Sequence, residues 1–283
     1  MENPARIALD QAGYRYTEGA FALEGITLAV RGGEFVGILG SNGSGKTTLL
    51  NLMDGMLKGY QGSVRLDGAE IGRLTPREIY SRVGLVFQNP DSQLFGGTVE
   101  EDVAFGPLNM GVAAPEIKER IRYALGAVDM AGQERSRIGH LSFGQKKRIC
   151  IAGLLAMGHE ILLLDEPTAG LDPMGEYRMM NLLMELNKKK CVTIVMASHS
   201  VDLVPLFLDR LFILSKGRVT RSGTPEEVFN APEDMKDVKL RLPHVAELIW
   251  RLREEDGVKF KKLPLTVGEA RRMLLERLSD VAP

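Results

Sequence analysis

Eight residues, Gly40-Ser41-Asn42-Gly43-Ser44-Gly45-Lys46-Thr47, have the spacing of a phosphate-binding loop. The chemistry asks for these types. Glycines let successive backbone N–H groups turn inward on phosphate oxygens, and a helix start adds its positive dipole end. Lys46 can reach the β- and γ-phosphates, and the Thr47 hydroxyl can ligate Mg²⁺. A glycine-rich turn without a ligand is the plain alternative. The strand before the loop, the helix after it and the Lys-Thr pair together favour phosphate.

Ile161-Leu162-Leu163-Leu164-Asp165-Glu166 is an apolar strand ending in two acids. Ligands of a parallel sheet sit at the carboxyl ends of its strands. Asp165 would therefore project towards the Mg²⁺ held by Thr47, with Glu166 placed to polarise an attacking water. Alone, such an ending is often only a solvated turn; beside the phosphate loop it reads as catalytic. His199, in Ser198-His199-Ser200, ends a third strand, Val192–Ala197, which favours a γ-phosphate contact over an ordinary surface histidine. Leu141-Ser142-Phe143-Gly144-Gln145 opens an apolar helix through Ala156. By itself Ser142 reads as an N-cap. Its hydroxyl and the free N–H groups also form a second phosphate-binding surface. One helix start already serves the loop at 40–47, so the second is surplus within one chain and suggests the nucleotide of another molecule.

The elements that must position these residues alternate β and α, the pattern of a parallel sheet. Residues 5–40 are β-rich, with Ala22–Val30 alternating and Glu34–Leu39 reading as a buried strand. A helix begins at about Lys46, and Ser63–Leu66 and Val83–Phe87 are further strands. Thr75-Pro76-Arg77-Glu78, Thr98-Val99-Glu100-Glu101 and Thr224-Pro225-Glu226-Glu227 are helix starts of the capping-box type. The second opens a mostly helical stretch to about Met157; a helix from Pro173 and a hairpin of Leu211–Leu214 with Arg218–Arg221 follow. The tail after about Pro232 differs in texture. Val245, Leu248, Ile249 and Leu252 share one helix face, and Thr266 and Glu269 form a capping box before a helix with Val267, Ala270, Met273 and Leu274 inward. A small helical appendage suits these faces better than a membrane-surface helix, because acids are mixed in.

With 283 residues and 44% hydrophobic composition the chain can bury a sizeable core. Lys+Arg 36 against Asp+Glu 37 gives a formal net charge of −1, which argues against a surface built for bulk nucleic-acid or anionic-membrane binding. Cys150 and Cys191 sit far apart in apolar runs and read as reduced core residues. Met1–Asp10 shows no secretory pattern. The most apolar stretches, 149–157 and 161–164, fall well short of the roughly 20 residues of a spanning helix. His140, His159, His199 and His244 show no metal-ligand spacing, so a metal cargo would not be held by this chain.

In their order these motifs resemble the nucleotide-binding subunits of ATP-binding-cassette (ABC) transporters, over about residues 5–230. The resemblance makes Gln88 the Q-loop, Leu141–Gln145 the signature motif, Asp165-Glu166 the Walker B end with its catalytic glutamate, Ala169-Gly170-Leu171-Asp172 the D-loop, and His199 the switch histidine. Tyr16 matches the adenine-stacking aromatic, a buried strand tyrosine being the alternative. It implies ATP and Mg²⁺ as ligands. Gly40 to Thr47 and Thr48 would hold the nucleotide from one side, and Ser142, Gly144 and Gln145 from the other. Thr47, Gln88 and Asp165 would surround Mg²⁺, Glu166, His199 and Gln88 would serve the reaction, and Asp172 would lie at the dimer interface. The implied fold is an α/β P-loop ATPase of ABC type. It has an N-terminal antiparallel β subdomain, a helical subdomain at about 98–157 within residues 1–230, and a small C-terminal helical domain at 231–283. One departure is visible: Phe143 stands where the commonest signature has glycine, which implies altered packing beside the site and no loss of activity.

Val86–Phe95, Glu100–Pro107 and Leu141–Arg148 are similar to energy-coupling-factor importers. Within that group Arg241-Leu242-Pro243 and Leu263-Pro264-Leu265-Thr266-Val267 resemble the cobalt and nickel branch. The resemblance implies an ATPase peripheral to the cytoplasmic face of the membrane. Its partners would be a second copy of itself and integral-membrane transmembrane and substrate-binding subunits. Phe95, Phe105 and Leu108 could take an apolar coupling helix, ordinary subdomain core being the alternative. Other classes fit less well. An ABC ATPase acting on DNA would carry long coiled coils or a basic block, and a translation-type protein two cassettes. The core motifs leave a vitamin importer or an exporter open.

Overall fold

The run Ile161–Leu164 has no polar break because its strand is covered on both faces, as in parallel sheets generally. The structure is a computed structural model that describes residues 4–17, 19, 21–230 and 240–281. Its central six-stranded sheet has the order β10-β9-β3-β8-β7-β6. These strands are β3 (Phe35–Leu39), β6 (Val83–Val86), β7 (Ile161–Asp165), β8 (Thr193–Ser198), β9 (Arg210–Ser215) and β10 (Arg218–Gly223). All neighbours run parallel except the β9–β10 hairpin. A four-stranded antiparallel sheet of β1 (Ala5–Arg15), β2 (Phe21–Arg31), β4 (Gln61–Leu66) and β5 (Ala69–Glu70) forms the N-terminal layer, in the order β2-β1-β4-β5.

The two-residue period of the strands sorts the core into two clusters. Ile161 and Leu163, with Val36, Ile38, Val195 and Ala197, face α1 (Lys46–Met53) and the antiparallel layer. Leu162 and Leu164, with Phe35, Leu39, Ile194 and Met196, face the helices of the other side. Those helices include α3 (Val99–Asn109), α4 (Ala114–Ala127), α5 (Phe143–Met157) and α6 (Pro173–Lys190). The expected helical stretch from 98 to 157 is thus three α-helices, with a connection at 128–142 whose helical part is a single 3-10 turn, Ile138–His140. Full capping boxes close on Thr75 at α2 (Pro76–Tyr80), on Thr98 at α3 and on Thr224 at α7 (Pro225–Phe229). Each such cap is worth about 1 kcal/mol.

Register decides where the chemistry gathers. Leu39 pairs with Ser198 and Asp165 with Ala197, so the loop after β3, the acids ending β7 and the histidine after β8 emerge at one edge.

Near Pro232 the expected domain boundary lies outside the described residues. Beyond it come α8 (His244–Glu254) and α9 (Val267–Val281). Leu242, Ala246, Ile249, Leu263, Leu265 and Ala270 are buried in the same cluster as the sheet face, so the tail shares the core of the six-stranded sheet. Arg241 pairs with Asp202, just past His199, and the His244 N–H donates to the same carboxylate at 2.8 Å.

Three expectations need correction. Cys191 is exposed, because it takes the left-handed residue (φ 56°) that ends α6 after three lysines, while Cys150 is buried with its thiol pushed up to about 12. Val267 is 73% exposed, since it opens α9 one turn before the buried Ala270. Thr266 caps the Glu269 N–H, but the Glu269 carboxylate returns to Leu265, so this box is incomplete.

Candidate functional site

The loop at 40–47 folds as its glycines require. Gly45 has φ 108°, and a Cβ there would meet the Ala22 carbonyl oxygen at 2.7 Å. Gly43 has φ 78° and open space around it, leaving the backbone free to approach a ligand. The hairpin turn props the loop from behind, with the Gly217 N–H donating to Ser44 O at 2.9 Å. Lys46 is buried and turned back on the loop; its Nζ donates to Gly40 O at 2.9 Å and Ser41 O at 3.2 Å. The buried Ser44 hydroxyl has no partner.

Thr47 Oγ1 donates to Asp165 Oδ2 at 2.7 Å. Burial raises the Asp165 carboxyl above its ordinary value, against the opposing Thr47 hydrogen bond. Glu166 is buried with φ 48°, a left-handed conformation that costs a non-glycine residue roughly 1–3 kcal/mol. Its Oε1 lies 3.6 Å from Lys46 Nζ and its Oε2 2.9 Å from His199 Nδ1. Lys46, Thr47, Asp165, Glu166 and His199 are therefore brought together. Gln88 is exposed and lines the same cleft, which has a volume of about 810 Å³.

The cleft fits a magnesium nucleotide. Glycine main chain and a buried lysine sit at its floor, and Thr47, Asp165 and Gln88 offer only hard oxygen ligands, the set Mg²⁺ takes with substrate phosphates. Among the described residues no group of three or more His, Cys, Asp and Glu is placed to hold a metal ion.

Ser142, Phe143, Gly144 and Gln145 lie apart, in a second cleft of about 800 Å³ that also includes Asp172. Ser142 and Gln145 cap one another, Ser142 N–H to Gln145 Oε1 at 2.9 Å and Gln145 N–H to Ser142 Oγ at 3.3 Å. Asp172 caps α6 by accepting from the Gly175 N–H at 2.9 Å. The Phe143 ring packs on Gly170, where a Cβ would sit 3.1 Å from it.

Tyr16 is 49% exposed just past β1, which removes the buried-tyrosine alternative. Its hydroxyl is 3.3 Å from Thr48 Oγ1, while Arg15, stacked 4.1 Å from the Phe21 ring centroid, lines the cleft mouth with Phe21. Phe95 and Phe105 stack edge-on at 4.3 Å and are exposed, as is Leu108, which sets aside the core reading for all three.

Two features escaped the sequence. Lys216 and Gly217 line the nucleotide cleft, which the hairpin turn alone did not show. Lys147 is fully buried, donating to Glu166 O at 2.7 Å and Ala169 O at 2.9 Å. Burial pushes its ammonium down to about 8 against the attraction of Glu166. A lysine on the apolar side of α5 was the available signal.

Comparison with known proteins agrees with this geometry. The family model described as ABC transporter matches residues 23–169. An ABC transporter ATP-binding protein of Geobacter sulfurreducens is 65% identical over 96% of this chain and 97% of its own. The energy-coupling factor transporter ATP-binding protein EcfA of Methanococcus maripaludis is 48% identical over 93% and 95%. The solved structure of cbiO1 from Clostridium perfringens, described as part of the ABC transporter complex cbiONQ, superposes with TM-score 0.77 at 40% identity, covering 87% of this chain and 99% of that one. Among the described residues no helix is long and apolar enough to cross a membrane. With its glycine-rich loop, paired acids and His199 at one sheet edge, this chain belongs to the ABC transporter family, as an ATP-hydrolysing subunit of the energy-coupling-factor type.

Proposed function

We propose that the chain powers import of a transition-metal ion, Co²⁺ or Ni²⁺, from the cytoplasmic face of the membrane, as a head-to-tail pair of identical copies bound to transmembrane and substrate-binding subunits. The hydrolytic site carries this reading: Glu166, between His199 and Lys46, is a carboxylate held beside a phosphate cradle. Lys46 exchanges its loop carbonyls for the β- and γ-phosphates, and the loop N–H groups take the remaining oxygens. Thr47, Asp165 and Gln88 would hold Mg²⁺, which when bound would neutralise charge on the phosphate oxygens. Glu166 accepts a proton from the attacking water, and His199 orients that carboxylate and meets the γ-phosphate. Thr48 lines the cleft, and Tyr16, within hydrogen-bond reach of its hydroxyl and half exposed, would meet the base from beside it.

Two separate clefts in one chain support the pairing. Ser142, Gly144 and Gln145 lie outside the cleft of Lys46, and a second copy would supply them to complete an ATP site, with Asp172 at the join. The exposed Phe95–Phe105 pair and Leu108 offer an apolar seat to a membrane subunit.

The cargo rests on Arg241-Leu242-Pro243 and the 263–267 segment, both resembling the cobalt and nickel branch, alongside the likeness to cbiO1. Cells lacking this subunit are expected to lose high-affinity accumulation of one of these ions in a radiometal uptake assay. Unchanged metal uptake with lost uptake of a vitamin such as biotin or riboflavin would move the chain to the vitamin branch.

A further inference from the structure

Lys147 lies on the second turn of α5, one turn after Ser142 and Gly144, with no exposed surface. A buried ammonium must find acceptors. Its two acceptors are main-chain carbonyls, Glu166 O and Ala169 O, at the ends of one tight turn. The Ala169 N–H also donates to Glu166 O, at 3.1 Å, so Lys147 staples both ends of a turn that the backbone has already closed. That turn starts at the left-handed Glu166, whose backbone conformation aims its carboxylate at His199. Phe143 completes the grip from the same helix, its ring against Gly170 and its centroid 5.1 Å from Lys147 Nζ. One helix start therefore holds the turn that carries the proposed base.

We propose that Lys147 is a positioning residue for Glu166: by clamping the Glu166–Ala169 turn to α5 it fixes the aim of the carboxylate, and it makes that aim depend on how the Ser142–Gly144 segment sits. The inference rests on Glu166 being the general base. In a pair of copies, the segment that meets the partner's nucleotide is then mechanically joined to the base of its own site. The joint is a side chain, not a shared backbone, so it can be cut without altering either motif. Methionine matches the length of lysine without its donors, and glutamine keeps two N–H donors on a shorter stem.

The test compares full-length wild type, Lys147→Met, Lys147→Gln and Glu166→Gln, measuring ATP-dependent phosphate release and equilibrium binding of trinitrophenyl-ATP. Misplacing a reacting group by about 1 Å can cost about 10²-fold, so Lys147→Met is expected to lower kcat about 10- to 100-fold with Kd and KM within about threefold of wild type. Lys147→Gln should lose less, and it carries the comparison if the methionine variant does not fold. A kcat within about twofold of wild type in Lys147→Met, or losses of kcat and nucleotide affinity in equal proportion, overturns the inference. A Glu166→Gln protein that hydrolyses ATP normally removes the general-base reading beneath it. A dead Glu166→Gln beside a normal Lys147→Met removes the inference alone.

Discussion

Glu166 sits 2.9 Å from an imidazole nitrogen and 3.6 Å from an ammonium, so its shape can be kept while its basicity is removed. Glu166→Gln is expected to bind ATP normally and to hydrolyse it about 10²- to 10⁴-fold more slowly, read by phosphate release. Asp54 gives a second expectation at this scale. It caps the carboxyl end of α1, where burial, only partly offset by the Met56 N–H and Lys58, raises its carboxyl from 3.8 to about 6. The folded state thus holds the proton more tightly than the unfolded one, and stability falls as pH rises from about 4 to about 6. Asp54→Asn should therefore be more stable than wild type at pH 8, by up to about 3 kcal/mol and with a correspondingly higher unfolding temperature, the difference being gone near pH 3. Phosphate-loop and paired-acid residues were legible because their chemistry is tied to local spacing. Lys147 was not: its partners lie 19 and 22 residues away in the chain, and only tertiary contact shows that it binds carbonyls.

The elements repeat that division. Thr75, Thr98 and Thr224 announce helix starts because a cap is a contact over three residues, and all three boxes form. The two-faced burial of β7 follows from its unbroken apolar run. Faces of the tail helices were less legible, since Leu248 and Val267 fit the helical period yet stay exposed while Leu242 and Leu263, in the connections, are buried. Which apolar residue is covered depends on the partner surface, which no period records. Cutting the chain after Asn230 removes those leucines and the Leu263 N–H bond to Asn230 Oδ1 from the shared core. The shortened protein is expected to melt several degrees lower while its affinity for trinitrophenyl-ATP stays within about threefold, because no tail residue among the described ones lines the cleft of Lys46. Breaking only the Arg241–Asp202 pair, with Arg241→Ala, should cost no more than about 1 kcal/mol, since the pair is partly exposed, and should show as faster proteolysis of α8 and α9.

At the scale of the whole molecule, two separate clefts stand in one chain, each proposed to be half of a phosphate site: Lys46, Thr47, Asp165, Glu166 and His199 around one, Ser142 and Gly144 at the other. The sequence showed this redundancy as a surplus helix start, and the fold keeps the two apart. Their union across a pair of copies is the central claim. The most direct measurement mixes two full-length variants, each inactive alone: Lys46→Ala, which lacks the cradle, and Ser142→Arg, which blocks the signature segment. If the signature of one copy serves the cradle of the other, a mixed pair gathers both lesions in one site and leaves the second site whole, so mixing should restore phosphate release. A mixture that stays inactive, while a covalently linked pair with one wild-type site turns over, would contradict the shared site.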